Sequence, residues 1–169
     1  MSDIGSLGGS SFAYAINDNG QVVGASFLAD NSTVHAFLWT QASGMQDLGT
    51  LGGVDSYAYG INAGGVVVGM SNTASGYVGF LWTRNTGMLP LNLASTTAWG
   101  INSSKQVVGT WVPSAKQSGF LWTQTKGVQN LNGLVTPKNI RVGSALAINR
   151  SGQIAAFSGQ HALLLTPTK

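Results

Sequence analysis

Gly79-Phe80-Leu81-Trp82-Thr83 is the stretch on which the reading of the fold turns, because the chain repeats it. It stands earlier as His35-Ala36-Phe37-Leu38-Trp39-Thr40 and later as Gly119-Phe120-Leu121-Trp122-Thr123. A worn fourth copy is His161-Ala162-Leu163-Leu164-Leu165-Thr166. Copies spaced by about 40 residues point to propeller blades or another stacked array.

Upstream of each copy, two short apolar runs are joined by a few residues rich in Asx and Gly, the pattern of a β-hairpin. The first is Ala13-Tyr14-Ala15-Ile16-Asn17 with Gln21-Val22-Val23-Gly24. It returns as Ala58-Tyr59-Gly60-Ile61-Asn62 with Val66-Val67-Val68-Gly69, and as Ala98-Trp99-Gly100-Ile101-Asn102 with Gln106-Val107-Val108-Gly109. The last version is Ala145-Leu146-Ala147-Ile148-Asn149 with Gln153-Ile154-Ala155-Ala156. Asn17, Asn62, Asn102 and Asn149 thus share one position. Four asparagines could suggest a metal or sugar site, but Asn opening a turn bonds its own backbone, and a following glycine supplies the positive φ. Lys105 replaces that glycine in the third turn, which is therefore expected to be strained or differently built.

Downstream of each copy comes a turn ending in Gly44, Gly87 or Gly127, and then a short run that reads as an outer strand. Pro90 in the second such run cannot donate to a ladder, which suits an edge. Each unit therefore holds four antiparallel strands, except that the fourth stops after its third. The start of the chain, Asp3-Ile4-Gly5-Ser6-Leu7-Gly8-Gly9, is a twin of Asp47-Leu48-Gly49-Thr50-Leu51-Gly52-Gly53. The expected fold is an all-β, four-bladed β-propeller whose last blade is completed by the N-terminal strand. Its parts are an outer strand at 2–8, blades at 11–51, 55–93, 96–132 and 144–167, and an insertion at 133–143. Pro137 and its flanking charges make the insertion a surface excursion, either a plain connector or a rim contact.

The composition narrows the function classes. In 169 residues only 8% are charged, there is no Glu and no Cys, and glycine numbers 24. That is a low-charge, turn-rich β composition with enough apolar content to bury a core. Without cysteine there are no disulfides, thiolate metal sites or cysteine nucleophiles. The net charge of +3 comes from scattered basic residues, whereas nucleic-acid binding needs them clustered, so no nucleic-acid partner is expected. No apolar run approaches the roughly 20 residues of a membrane span, and the first residues lack the features of a signal peptide. Nothing calls for a cofactor.

The His-Ala-Phe stretch at 35–37, with its Gly-Ile-Asn and Val-Val-Gly hairpins, resembles the bacterial "HAF" extracellular repeat family. The resemblance covers nearly the whole chain, although only the first unit carries the full His-Ala-Phe. It implies an exported or cell-surface bacterial protein, extracellular or periplasmic, without an assigned enzymatic activity, and it supplies no catalytic residues.

Trp39, Trp82 and Trp122 are equivalent to one another, as are Tyr14, Tyr59 and Trp99, and in the fourth unit both positions become leucine, Leu165 and Leu146. Joint change suggests contact, explained most simply by core packing, since an aromatic brings about 150–250 Å² to a core. A platform for sugar rings would explain it too. Trp111 and Tyr77 lie outside the repeat phase, near loops, and are candidates for ligand contact. His35 and His161 occupy equivalent positions and would be neighbours in a closed ring. Two histidines without nearby carboxylates make a poor metal site and no triad. Asp3 and Asp47 read as turn caps rather than as catalytic carboxylates, whose pairs must converge. The expected function is a non-enzymatic binding module for a glycan or another uncharged surface ligand. Alternatives are a protein-interaction scaffold and, third, a hydrolase using His35, His161 and an Asp. The chain is expected to be a monomer, or a homodimer that builds eight blades from two chains.

Overall fold

The computed structural model describes residues 1–114, 116–136 and 139–168. Pro137 and Lys138 of the insertion lie outside the described residues. Four antiparallel sheets follow one another along the chain, in strand order. The first holds β1 (Gly8–Ile16), β2 (Val22–Leu28), β3 (Val34–Thr40) and β4 (Gly44–Asp47). The second holds β5 (Ser56–Ile61), β6 (Val67–Thr73), β7 (Gly76–Thr83) and β8 (Gly87–Ala94). The third holds β9 (Thr96–Ile101), β10 (Val107–Trp111), β11 (Ser118–Thr123) and β12 (Gly127–Asn130). A single helical turn, α1 (Leu131–Leu134), leads to a fourth sheet of β13 (Ser144–Ile148), β14 (Ile154–Ser158) and β15 (His161–Leu165).

Each sheet lays one face on the next. Val23, Ala36 and Leu38 of the first pack on Ala58, Val67, Phe80 and Trp82 of the second. The pattern moves on by one sheet to join Val68 with Ala98, Val107 and Phe120, and again to join Val108 with Ala145, Ile154 and Ala156. The core is thus three apolar layers between four sheets, and the first strands of successive sheets lie side by side.

The expected closure by residues 2–8 is not found. The fourth sheet has three strands, and the N-terminal segment stays with the first sheet. Leu7 N–H donates to Ser26 Oγ at 2.9 Å, and Ser11 Oγ donates to the Gly5 carbonyl at 2.9 Å. The twin segment does the same, with Leu51 N–H on Ser71 Oγ at 2.9 Å and Ser56 Oγ on the Gly49 carbonyl at 2.6 Å. Near-identical sequence beside identical serines folds identically. It therefore precedes its own sheet in both places, instead of bridging to a distant one.

Two close approaches fix the shape of a sheet. A β-carbon at Gly24, Gly69 or Gly109 would lie 1.9, 1.9 or 2.0 Å from the carbonyl oxygen of Phe12, Tyr57 or Thr97. It would also lie 2.9, 2.8 or 2.6 Å from Cε1 of Phe37, Phe80 or Phe120. These three phenylalanines are fully buried over their glycine partners. In the fourth sheet the register pair is Ala156 with Leu163, so a smaller ring position accompanies a larger glycine position.

The third turn is built like the others. Lys105 N–H donates to the Asn102 carbonyl at 3.0 Å, as Gly20 and Gly65 do to Asn17 and Asn62. Lys105 meets the demand by taking φ +58°, beside +72° at Gly20 and +73° at Gly65. The expectation of strain holds, and that of a different construction does not.

Gly69→Ala should destabilise the chain by about 3 kcal/mol, since a backbone oxygen cannot retreat as a side chain can. Combined with Phe80→Leu, it should cost less than the sum of the single losses in a denaturant titration; additive losses would contradict direct contact. Lys105→Gly should stabilise by up to about 1 kcal/mol, the left-handed penalty relieved less the extra unfolded-state entropy.

Candidate functional site

The first strand of every sheet carries a β-bulge at one place, between Ala13 and Ala15, Ala58 and Gly60, Ala98 and Gly100, and Ala145 and Ala147. The extra residues are Tyr14, Tyr59, Trp99 and Leu146. A bulge leaves its extra residue out of the pairing and re-aims its side chain. Here the bulged rings turn along the row of first strands and meet across sheet boundaries. Tyr14 and Tyr59 have centroids 5.5 Å apart, and Tyr59 and Trp99 have centroids 4.5 Å apart. Tyr57 lies parallel to Tyr59 at 6.2 Å. The line begins at Tyr14, which is 47% exposed, passes the half-buried Tyr59 and Trp99, and ends at exposed Leu146.

The strip is anchored at Trp99. Trp99 Nε1 donates to Thr110 Oγ1 at 2.8 Å, and Thr110 in turn hydrogen-bonds Ser144 of the fourth sheet. Burial, with the neighbouring Tyr14 and Tyr57 hydroxyls adding to it, pushes the Tyr59 hydroxyl up to about 12. Burial likewise raises Tyr57. Both stay neutral donors at physiological pH, so the strip offers ring faces and uncharged hydroxyls.

Beside the strip runs a second ladder, of asparagines. Each Oδ1 accepts backbone N–H groups of its own turn, as the sequence suggests, for example Gly64 and Val66 on Asn62 at 3.0 Å. The amides of the first three also donate onward to the next sheet. Asn17 reaches the Asn62 carbonyl at 3.0 Å, Asn62 the Asn102 carbonyl at 3.0 Å, and Asn102 the Asn149 carbonyl at 3.1 Å. Asn17, Asn62 and Asn102 therefore staple turns and sheets together, and the Asn149 side chain braces its own turn.

The other singled-out residues are dispersed. Trp82 is buried between the first two sheets, Trp122 is half-buried between the second and third, and Trp39 is half-buried on the outward side of the first sheet. Among the described residues the ring contacts run along the first strands, so none joins these tryptophans to the tyrosines. Leu165, in the tryptophan position of the fourth sheet, borders an apolar cleft of about 480 Å³ with Leu121, Leu134, Ile148 and Ile154. Trp111 ends β10 and covers the second core layer. Tyr77 lines a shallow groove of about 300 Å³ with Thr73 and Asn92.

His35 Nδ1 lies 2.8 Å from Asp47 Oδ2, while Asp47 Oδ1 accepts the Gly49 N–H at 2.7 Å, so this pair ties β3 to β4. His161 is exposed on the fourth sheet, whose three strands among the described residues supply no matching Asp. The two histidines stand on the first and fourth sheets, whereas the core layers among the described residues join the first sheet to the second and the fourth to the third, so no joint site is seen there. Among the described residues no three His, Cys, Asp or Glu side chains converge to hold a metal ion. No described helix is long and apolar enough to cross a membrane. No family model and no curated protein matches the chain.

Sequence reasoning grouped Tyr14, Tyr59 and Trp99 correctly but assigned them to packing against the tryptophans, and it left Tyr57 aside. The available signal was their shared place one residue after the constant alanine.

Tyrosine in an unfolded chain ionises near pH 10, and Tyr59 in the folded chain ionises near 12. The folded form therefore holds that proton more tightly. Its stabilising share is complete below about pH 10 and is lost as pH rises towards 12. Denaturation midpoints should fall over that window, and less so in Tyr59→Phe; equal slopes would contradict the assignment.

Proposed function

We propose that the chain is a non-catalytic binding module, its four sheets acting as blades of a propeller-like array, that holds an uncharged ligand, a glycan, against the bulged aromatic strip. The observation that carries this reading is the continuous line of rings Tyr14, Tyr59 and Trp99, at 5.5 and 4.5 Å, half open to solvent and locked from behind. Sugar rings present axial C–H groups that stack on aromatic faces, and neutral hydroxyls suit neutral hydroxyl partners. A strip anchored in this way loses less entropy on binding. The low charge of the chain, 8% of residues, fits a ligand without charge. The resemblance to the HAF repeats supports placing the module on an exported or cell-surface bacterial protein.

A glycan-array screen followed by tryptophan fluorescence titration tests the proposal. A saturable response is expected, weakened about tenfold or more by Trp99→Ala, equivalent to about 1.4 kcal/mol. Trp111→Ala should leave it nearly unchanged. A blank array, or a response that survives both Trp99→Ala and Tyr59→Ala, would contradict the proposal.

A further inference from the structure

The row of sheets has two unlike ends, and each is half of the boundary that recurs inside it. The outward face of the first sheet presents Ala13, Ile16, Val22 and Trp39, in the positions of Ala58, Ile61, Val67 and Trp82. Ala58 and Val67 are fully buried by the preceding sheet, whereas Ala13 is exposed and Ile16 is 67% exposed. The outward face of the fourth sheet presents Ala155, Ala162 and Leu164, in the positions of Val23, Ala36 and Leu38. Those three are buried against the following sheet, yet Ala155 and Ala162 are exposed and Leu164 is 69% exposed.

The polar contacts end in the same way. The amides of Ala36 and Gly79 donate across a boundary to Ser56 Oγ at 2.8 Å and Thr96 Oγ1 at 2.9 Å. Ala162 holds the donor position of the fourth sheet, and Ser11 holds the acceptor position of the first. The asparagine ladder starts at Asn17, and at its other end the Asn149 amide bonds Gln153 Oε1 of its own turn at 2.8 Å. At matching turn positions the first end carries Asp18 and the last Arg150, both exposed and of opposite charge.

We propose that a second copy of this chain docks here, head to tail, its first sheet lying on the fourth sheet of its neighbour. Ile16, Val22 and Trp39 of one copy then meet Ala155, Ala162 and Leu164 of the other, and the asparagine and serine contacts continue across the junction. This is a heterologous contact, joining two different patches, and it continues a boundary the chain already makes three times. Apolar sheet faces left open in this way mark interaction surfaces.

Sedimentation of the whole chain at micromolar concentration tests the proposal. Assembly beyond the 17.4 kDa single chain is expected. Both Ile16→Asp and Leu164→Asp lie on exposed positions and should leave each chain folded by circular dichroism but monomeric. Mixing the two variants should restore a one-to-one pair, because each retains the face the other lacks. A wild-type monomer would overturn the proposal, whether its ends close on each other or await a different partner. So would an assembly sensitive to only one substitution, the mark of like-to-like pairing, or a mixture that stays monomeric.

Discussion

Where the carbonyl oxygen of Phe12, Tyr57 or Thr97 crosses Gly24, Gly69 or Gly109, there is no room for a side chain, and a phenylalanine ring closes the same space from the third strand. This three-way fit accounts for much of the structure. It places a fully buried phenylalanine at the centre of a sheet. In these three sheets the crossing sits just before the bulge of the first strand, a bulge that the fourth sheet also makes with Ala156 in the glycine position. Burial of each phenylalanine contributes about 1.5–3 kcal/mol, and the bulge turns the next side chain out of the sheet towards its counterpart in the neighbouring one.

Between sheets the cohesion is of two kinds. Apolar layers of Val, Ala, Leu and Phe supply the area, as in any sheet-on-sheet packing. Asparagine amides and buried hydroxyls such as Ser56 and Thr96 supply register, since each has a single partner in the adjoining sheet. A one-residue slip would leave these groups unsatisfied, and among the described residues no buried side-chain nitrogen or oxygen lacks a partner. The aromatic strip is backed by this arrangement, with Tyr59 and Trp99 on sheets that have a neighbour on either side.

The repeat, the strands and the turn role of the asparagines were legible from spacing alone, because identical short motifs impose identical hydrogen bonding. The path of residues 3–7 was not read, although their twin at 47–51 contained the answer: Leu7 and Leu51 precede serine-bearing sheets in the same way. Ring closure was inferred from counting strands, and counting says nothing of the curvature from one sheet to the next. The exchange of Gly for Ala156 together with Phe for Leu163 was visible in the sequence, yet its meaning needed the third participant, a carbonyl group that no sequence displays. The aromatic strip was half legible: its members were aligned, but the bulge that aims them is a register event between strands.

The central claim is that one sheet boundary is written into the chain, made three times within it and left open at its ends. Amide hydrogen exchange, measured where sedimentation shows single chains, tests this at equivalent positions. Ala36 and Gly79 donate to hydroxyls, and Gly119 donates to the Val142 carbonyl at 3.0 Å. All three should be strongly protected, while the amide of Ala162, at the same position of the fourth sheet, should exchange orders of magnitude faster. Equal protection at all four in the single chain would show a ring closed on itself and contradict the account, as would free exchange at the first three.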